Sequence, residues 1–331
     1  MKQLKNKLAQ QWLNLAARRL GSQVLFATDD FFAEKENLLK PEAPIFLPDK
    51  YTERGKWMDG WESRRKRTEG HDVAVIQLGI AGHIHGFNID TRHFLGNHPP
   101  HASIEGTFAP QAKRIEDLQN VEWHPLLAKA SLEPGSENLF ACAVSDPVTH
   151  VRLNIFPDGG VARLRVYGQG YCPELPIETF NLAGAEFGAI VTQANDMFFS
   201  PKDNLIMPYA SNGMHDGWET RRRREPGNDW CIIQLAGRGT LQKVEVDTAF
   251  FKGNYPDRFR LGGADLAAPD GTLMPVDEAT WTPILDEQKL TADSRHDYQA
   301  EVQAHSPITH VRLDIIPDGG VARLRCYGEV S

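Results

Sequence analysis

Asp59-Gly60-Trp61-Glu62-Ser63-Arg64-Arg65 gathers, within seven residues, the side chains that proton transfer and anion binding draw on. The block recurs as Asp216-Gly217-Trp218-Glu219-Thr220-Arg221-Arg222. Arginine offers a planar fork of donors suited to carboxylates. Asp and Glu can transfer protons when burial or neighbouring charge adjusts their pKa. Asp-Gly is a tight-turn dipeptide that would present these groups at a loop tip. The plainer reading is a turn followed by a charged, solvated strand around a buried Trp. The Arg-Arg-Lys-Arg and Arg-Arg-Arg-Arg runs fit it, since at least alternate members must face water.

Two further constellations accompany the acidic blocks. Asp90-Thr91 and Gly96-Asn97 recur as Asp247-Thr248 and Gly253-Asn254. An Asn in such a loop can bond an amide or ureido group through both its oxygen and its NH₂, or it can bond its own backbone. His83 and His85 are two apart on an expected strand and so point the same way, with His93, His98 and His101 following. Their counterparts in the second copy are Thr240, Gln242, Phe250, Tyr255 and Arg258. A divalent metal at His83 and His85 would therefore belong to the first copy alone, and no cofactor is expected. No Ser-His-Asp signature and no phosphate-cradling glycine loop is present.

These residues sit in a chain that says nearly the same thing twice. THVRLNIFPDGGVARLRVYG from Thr149 returns as THVRLDIIPDGGVARLRCYG from Thr309, with only Asn154/Asp314, Phe156/Ile316 and Val166/Cys326 different. IDTRHFLGNHPP from Ile89 matches VDTAFFKGNYPD from Val246. Two copies of one domain are fused head to tail. Packing tolerates swaps of similar volume, so identity in polar residues needs more than a core to explain it. The offset between copies falls from 167 at ATDDFF to 157 at DGWE, so the first copy has ten extra residues between Pro41 and Trp57. This Pro-rich, charged insertion reads as a surface loop.

Short apolar runs, frequent turns and no long helical period predict an all-β chain of two tandem jelly-roll β-sandwich domains with a short N-terminal helix. The helix is expected over 1–20, the first sandwich over 21–170, a linker over 171–183 and the second sandwich over 184–331. Val148 to Phe156 and Val161 to Tyr167 both alternate, and Pro157-Asp158-Gly159-Gly160 supplies turn residues, which predicts a hairpin. If Phe156 faces Val161, Asn154 lies opposite Arg163, Arg152 opposite Arg165 and His150 opposite Tyr167 on one face. Arg152 beside Arg165, repeated as Arg312 and Arg325, is an unfavourable like-charge pair. Something negative should cover it: an internal carboxylate such as Glu62 or Asp90, or an anionic ligand.

The 331 residues suffice for two such domains, and the net charge of -8 argues against nucleic acid. No window is apolar enough for a membrane span. The lysines and arginines running through the first twenty residues are unlike a secretory signal. The four cysteines form no CxxC pair and read as free thiols, which suits a cytoplasmic protein.

DGWE with paired arginines, the IDT…GN.P segment and the long terminal motif, each present twice, resemble the allantoicase (allantoate amidinohydrolase) family over about Ser22 to Gly328. The resemblance implies tandem jelly rolls, an oligomer, and hydrolysis of allantoate to ureidoglycolate and urea in purine and ureide breakdown. It further implies that Glu62, Glu219, His150 or His310 moves protons. Asp59, Arg64, Arg65, Arg152, Arg165, Asp216, Arg221, Arg222, Arg312 and Arg325 would bind substrate, the arginines clamping its carboxylate and Asn97 or Asn254 holding the ureido arms. In the second copy Arg260-Leu261-Gly262 replaces Ser103-Ile104-Glu105, so Glu105 has no counterpart. A carbohydrate- or ligand-binding jelly roll without catalysis is the alternative.

Overall fold

The chain divides into two units, Met1–Tyr171 and Cys172–Ser331, and the computed structural model describes residues 7–268, 270 and 272–331. The first contains a helix α1 (Lys7–Gln11) and strands β1 (Leu13–Asn14), β2 (Gln23–Ala27), β3 (Tyr51–Thr52), β4 (Gly55–Lys56), β5 (Trp61–Glu62) and β6 (Asp72–Asp90). There follow β7 (His101–Thr107), β8 (His124–Ser131), β9 (Glu137–Ala141), β10 (Val148–Phe156), β11 (Gly160–Val161) and β12 (Arg163–Gly170).

The 19-residue β6 serves both layers of the sandwich. Its first half lies between β2 and β10, with Ala74 opposite both Ala27 and Leu153. Its second half lies between β12 and β9, with Ile89 opposite Leu164 and Asn138. β7 and β8 extend the first layer beyond β10. Alternation sends Ile76, Ile84, Phe87, Ile89, Val151, Leu153, Ile155, Leu164 and Val166 inward, where none retains exposed surface. Burying such a side chain is worth about 1.5–3 kcal/mol.

The second unit repeats this plan with β13 (Phe180–Asn181), β14 (Ile190–Ala194), β15 (Trp218–Glu219), β16 (Asp229–Asp247), β17 (Arg258–Ala264), β18 (Thr282–Lys289), β19 (Arg295–Tyr298), β20 (Ile308–Ile316), β21 (Gly320–Val321) and β22 (Arg323–Val330). Here β16 is the shared strand, flanked first by β14 and β20 and then by β22 and β19. The two-jelly-roll expectation holds.

The expected hairpin does not form. β10 has both edges taken, by β6 and β7, while β12 pairs with β6 and β1. The Pro-Asp-Gly-Gly segment crosses between layers instead of closing a turn. Asp158 Oδ2 accepts from the Lys66 N–H at 2.7 Å. Gly159 O accepts from Ser63 N–H, and Gly160 N–H donates to Asn97 O at 2.7 Å. Arg152 therefore lies opposite Glu105 and Val75, and Arg165 lies opposite Asn88. They are not neighbours, and neither are Arg312 and Arg325, whose strand partners differ in the same way.

Two boundaries also differ. The expected helix over 1–20, whose residues 1–6 lie outside the described ones, ends at Gln11. Leu13–Asn14 instead pairs with Gly168 and Tyr167, because the edge of β12 offers unpaired backbone groups that a helix would leave unmet. In the same way Phe180–Asn181, expected within the linker, pairs with Gly328 and Tyr327 of β22.

Candidate active site

Buried packing fixes the acidic block of the first unit. Trp61 has no exposed surface, and its Nε1–H donates to Asp29 O at 2.8 Å. β5 pairs with β11, setting Glu62 opposite Gly160. Phe94 fills the space beneath: a Cβ on Gly160 would stand 2.0 Å from its ring, so only glycine fits there.

Asp59 is a structural member of this frame. It is buried, and its Oδ2 accepts from Arg163 Nη2 at 2.7 Å and from Ile45 N–H at 3.0 Å. Its Oδ1 takes Lys40 Nζ at 3.0 Å. Burial pushes the Asp59 pKa up, but these donors outweigh burial and hold it below the usual carboxylate range. Arg163 also donates to Glu42 O and Asp59 O, and Arg165 donates to Lys40 O and Pro41 O. The two arginines clamp the start of the 41–57 insertion. Sequence reasoning missed Arg163 because nothing local marks which arginine of ARLR is buried.

Glu62 faces outward from this frame and is half-buried. Asn97 Nδ2 donates to its Oε1 at 2.7 Å, while the Asn97 carbonyl is held by Gly160 N–H. Burial raises the Glu62 pKa, only partly offset by the Asn97 bond. A carboxyl in this state can hold a proton closer to neutral pH and release it. It opens on a cavity of about 330 Å³ lined by Phe32, Phe46, Lys56, Met58, His93 and Asn97 among others, at the small end of ligand pockets.

The insertion builds one wall of that cavity. Phe46 stacks on His93 with centroids 5.8 Å apart, and His93 Nε2 bonds Pro44 O at 3.0 Å. Lys56 Nζ lies 4.8 Å from the Phe46 ring centroid. The insertion is the exposed surface loop that its composition predicts, and it is also a cavity wall. The only advance sign was that the insertion abuts DGWE.

The other candidates lie elsewhere or are engaged. Arg64 is exposed and pairs with Asp29 at 2.7 Å, and Arg65 is exposed outside the cavity. Arg152 Nε donates to Glu105 Oε2 at 2.8 Å and its guanidinium covers Trp123. The carboxylate expected over Arg152 is thus Glu105, not Glu62 or Asp90; Asp90 holds Arg92. His150 is fully buried and six residues along β10 from Phe156, roughly 20 Å by strand rise. Burial, helped by Lys113, pushes its pKa down to about 4. His83 Nδ1 meets Ser145 O at 2.9 Å and His85 stacks on Trp12 at 3.5 Å. Among the described residues no three His, Cys, Asp or Glu converge to hold a metal ion.

The second unit rebuilds the frame, except that Met207 stands where Lys40 bridges to Asp59. Arg323 Nη2 donates to Asp216 Oδ2 at 2.8 Å, Arg325 donates to the Met207 and Leu205 carbonyls, and Trp218 donates to Asp196 O. Asn254 donates to Glu219 Oε1. Arg221 pairs with Asp196, Arg222 is exposed, and Arg312 takes Asp314 at 3.1 Å. His310 is buried, with its pKa likewise pushed down to about 4.

A family model described as Allantoicase repeat matches residues 13–171 and again 180–331. A probable allantoicase 1 of Burkholderia mallei is 47% identical over 331 residues, covering 98% of this chain and 96% of that protein. A probable allantoicase of Ralstonia nicotianae is 45% identical, covering 96% and 95%. The crystal structure of allantoicase from Saccharomyces cerevisiae matches with a TM-score of 0.81 at 35% identity, covering 98% of this chain and 94% of that one.

Proposed function

The chain belongs to the allantoicase family, and from that premise we propose that it hydrolyses allantoate to ureidoglycolate and urea at the Glu62 cavity of its first unit. Allantoate is a carboxylate whose α-carbon carries two ureido groups. Breaking one C–N bond requires a proton on the departing urea nitrogen and a water to take its place on carbon. The observation that supports Glu62 is its state: half-buried, with a raised pKa, oriented by Asn97 and open to a cavity. Glu62 would give its proton to the leaving nitrogen. The resulting carboxylate would accept one from the incoming water, whether water attacks directly or adds to an imine formed first. Asn97 would hold the acid and could reach a ureido oxygen.

No cofactor is needed in this reading, since acid, base and water suffice and His83 and His85 have other partners. The family resemblance carries the further expectation of a homo-oligomer. A cytoplasmic setting is favoured by the four free cysteines. No helix among the described residues is long and apolar enough to cross a membrane, and an acidic chain suits neither nucleic acid nor an anionic lipid surface.

The test is urea release from allantoate by the purified protein and by Glu62→Gln. That variant keeps size and hydrogen bonding but cannot transfer a proton, so its rate should fall about a hundredfold or more with folding intact. Absence of urea from the unaltered protein would overturn the reaction. A full rate in Glu62→Gln would remove the site.

A further inference from the structure

The proposed reaction needs a cation for the substrate's carboxylate, and the first unit's arginines are engaged or, like Arg65, stand outside the cavity. Arg64 is tied to Asp29, Arg152 to Glu105 and Arg163 to Asp59. Arg165 serves the Lys40 and Pro41 carbonyls. Lys40 is paired with Asp59. Lys56 is different. It ends the β3–β4 hairpin, opposite Tyr51, and lines the cavity together with Glu62 and Asn97. Its ammonium rests against Phe46 at 4.8 Å and Tyr51 at 5.9 Å. Among the described residues no carboxylate lies within ion-pair distance of it.

We propose that Lys56 binds the carboxylate of allantoate, which makes the ten-residue insertion the element that fits the first unit's cavity to an anionic substrate. The inference rests on the Glu62 reading above. An ammonium held against aromatic faces keeps its charge while losing part of its hydration, so it is prepared to accept a carboxylate oxygen. Lys56 would thus take one end of the substrate while Glu62 and Asn97 act at a ureido arm. The second copy cannot do this in the same way. The position aligned with Lys56 is Gly213, and its lysine, Lys252, stands instead at the place of Leu95.

The experiment compares Lys56→Met, Lys56→Arg and Lys252→Met with the unaltered protein, measuring kcat and KM for allantoate and inhibition by its neutral carboxamide. Loss of one charge-assisted contact is worth about tenfold or more in binding. Lys56→Met should therefore raise KM by about that factor with kcat little changed. Inhibition by the neutral carboxamide should stay as it was, and Lys56→Arg should restore most of the loss. Lys252→Met should leave both constants unchanged. An unaltered KM in Lys56→Met, an equal loss for the carboxamide, or a loss in Lys252→Met instead would overturn the assignment. Failure of the site itself reads out separately, as full activity in Glu62→Gln. With Glu62→Gln inactive and Lys56→Met normal, only the Lys56 assignment falls.

Discussion

Glu62 and Glu219 occupy the same place in two copies of one frame, and their surroundings differ chiefly on one side. Beneath both lie a buried Trp, a ring packed on glycine and an Asp–Arg pair. Beside Glu62 stand Phe46, Lys56 and His93; Gly213 and Phe250 align with the last two, and the segment corresponding to Phe46 is cut short. The frame is repeated because each member satisfies a buried group of another. The wall can diverge because it meets solvent. Where charge is half-buried the copies agree in outcome but not in residue. Arg152 takes its carboxylate from the next strand, as Glu105, whereas Arg312 takes it from two positions along its own strand, as Asp314.

The largest effect should come from breaking the frames. Asp59→Asn leaves a guanidinium with 1% of its residue exposed without a counter-charge, and about 3–5 kcal/mol of stability should be lost. Asp216→Asn should cost the same. Thermal or urea unfolding of both variants checks this, and a cost confined to one copy would show that the frames are not equivalent.

Acid should expose a second, smaller effect. His150 and His310 are neutral in the fold, with pKa values down to about 4, but take up protons near pH 6.5 once unfolded. The unfolded state binds more protons between those values, so stability is complete above about pH 6.5 and falls as pH drops through the window. Each histidine should account for roughly 2–3 kcal/mol of that fall. Lys113 adds to the shift of His150, whereas Asp265 opposes that of His310. Replacing each histidine with Gln, followed by acid titration of the near-UV signal, should flatten the dependence; an unchanged acid limb would refute it.

The smallest effect is expected on the surface. Arg64→Ala and Arg221→Ala remove exposed pairs with Asp29 and Asp196 and should each cost under about 1 kcal/mol. A Tm drop of more than a few degrees in one alone would mark an unequal role for these arginines.

The sequence carried the duplication, the β class and the repeated Glu and Asn positions, because repeated polar identity and turn residues are local signals; that each Asn bonds its Glu came only with the structure. Strand partners were not legible. Alternation tells which face Arg152 and Arg165 occupy but not which strand lies beside them, and two alternating runs around a Pro-Asp-Gly-Gly segment satisfy the hairpin pattern equally well. Arg163 was hidden for a related reason: its partner Asp59 lies 104 residues away. The wall formed by Phe46 and Lys56 depends on contacts with His93 and Pro44 that a charged, Pro-rich stretch does not announce.

The single strand that runs through both layers also limits how each unit can move. A sandwich made of separate sheets can breathe by sliding one over the other, but β6 and β16 belong to both layers at once and are paired on both sides over 74–77 and 86–90, and over 231–234 and 244–247. Opening either layer means tearing the common strand, so its amides should exchange with solvent only when the whole unit unfolds. Any change in access to Glu62 must then arise at the outer edge, in residues 41–57, whose short β3–β4 hairpin is tied back through Arg54 Nη1, a donor to Phe31 O.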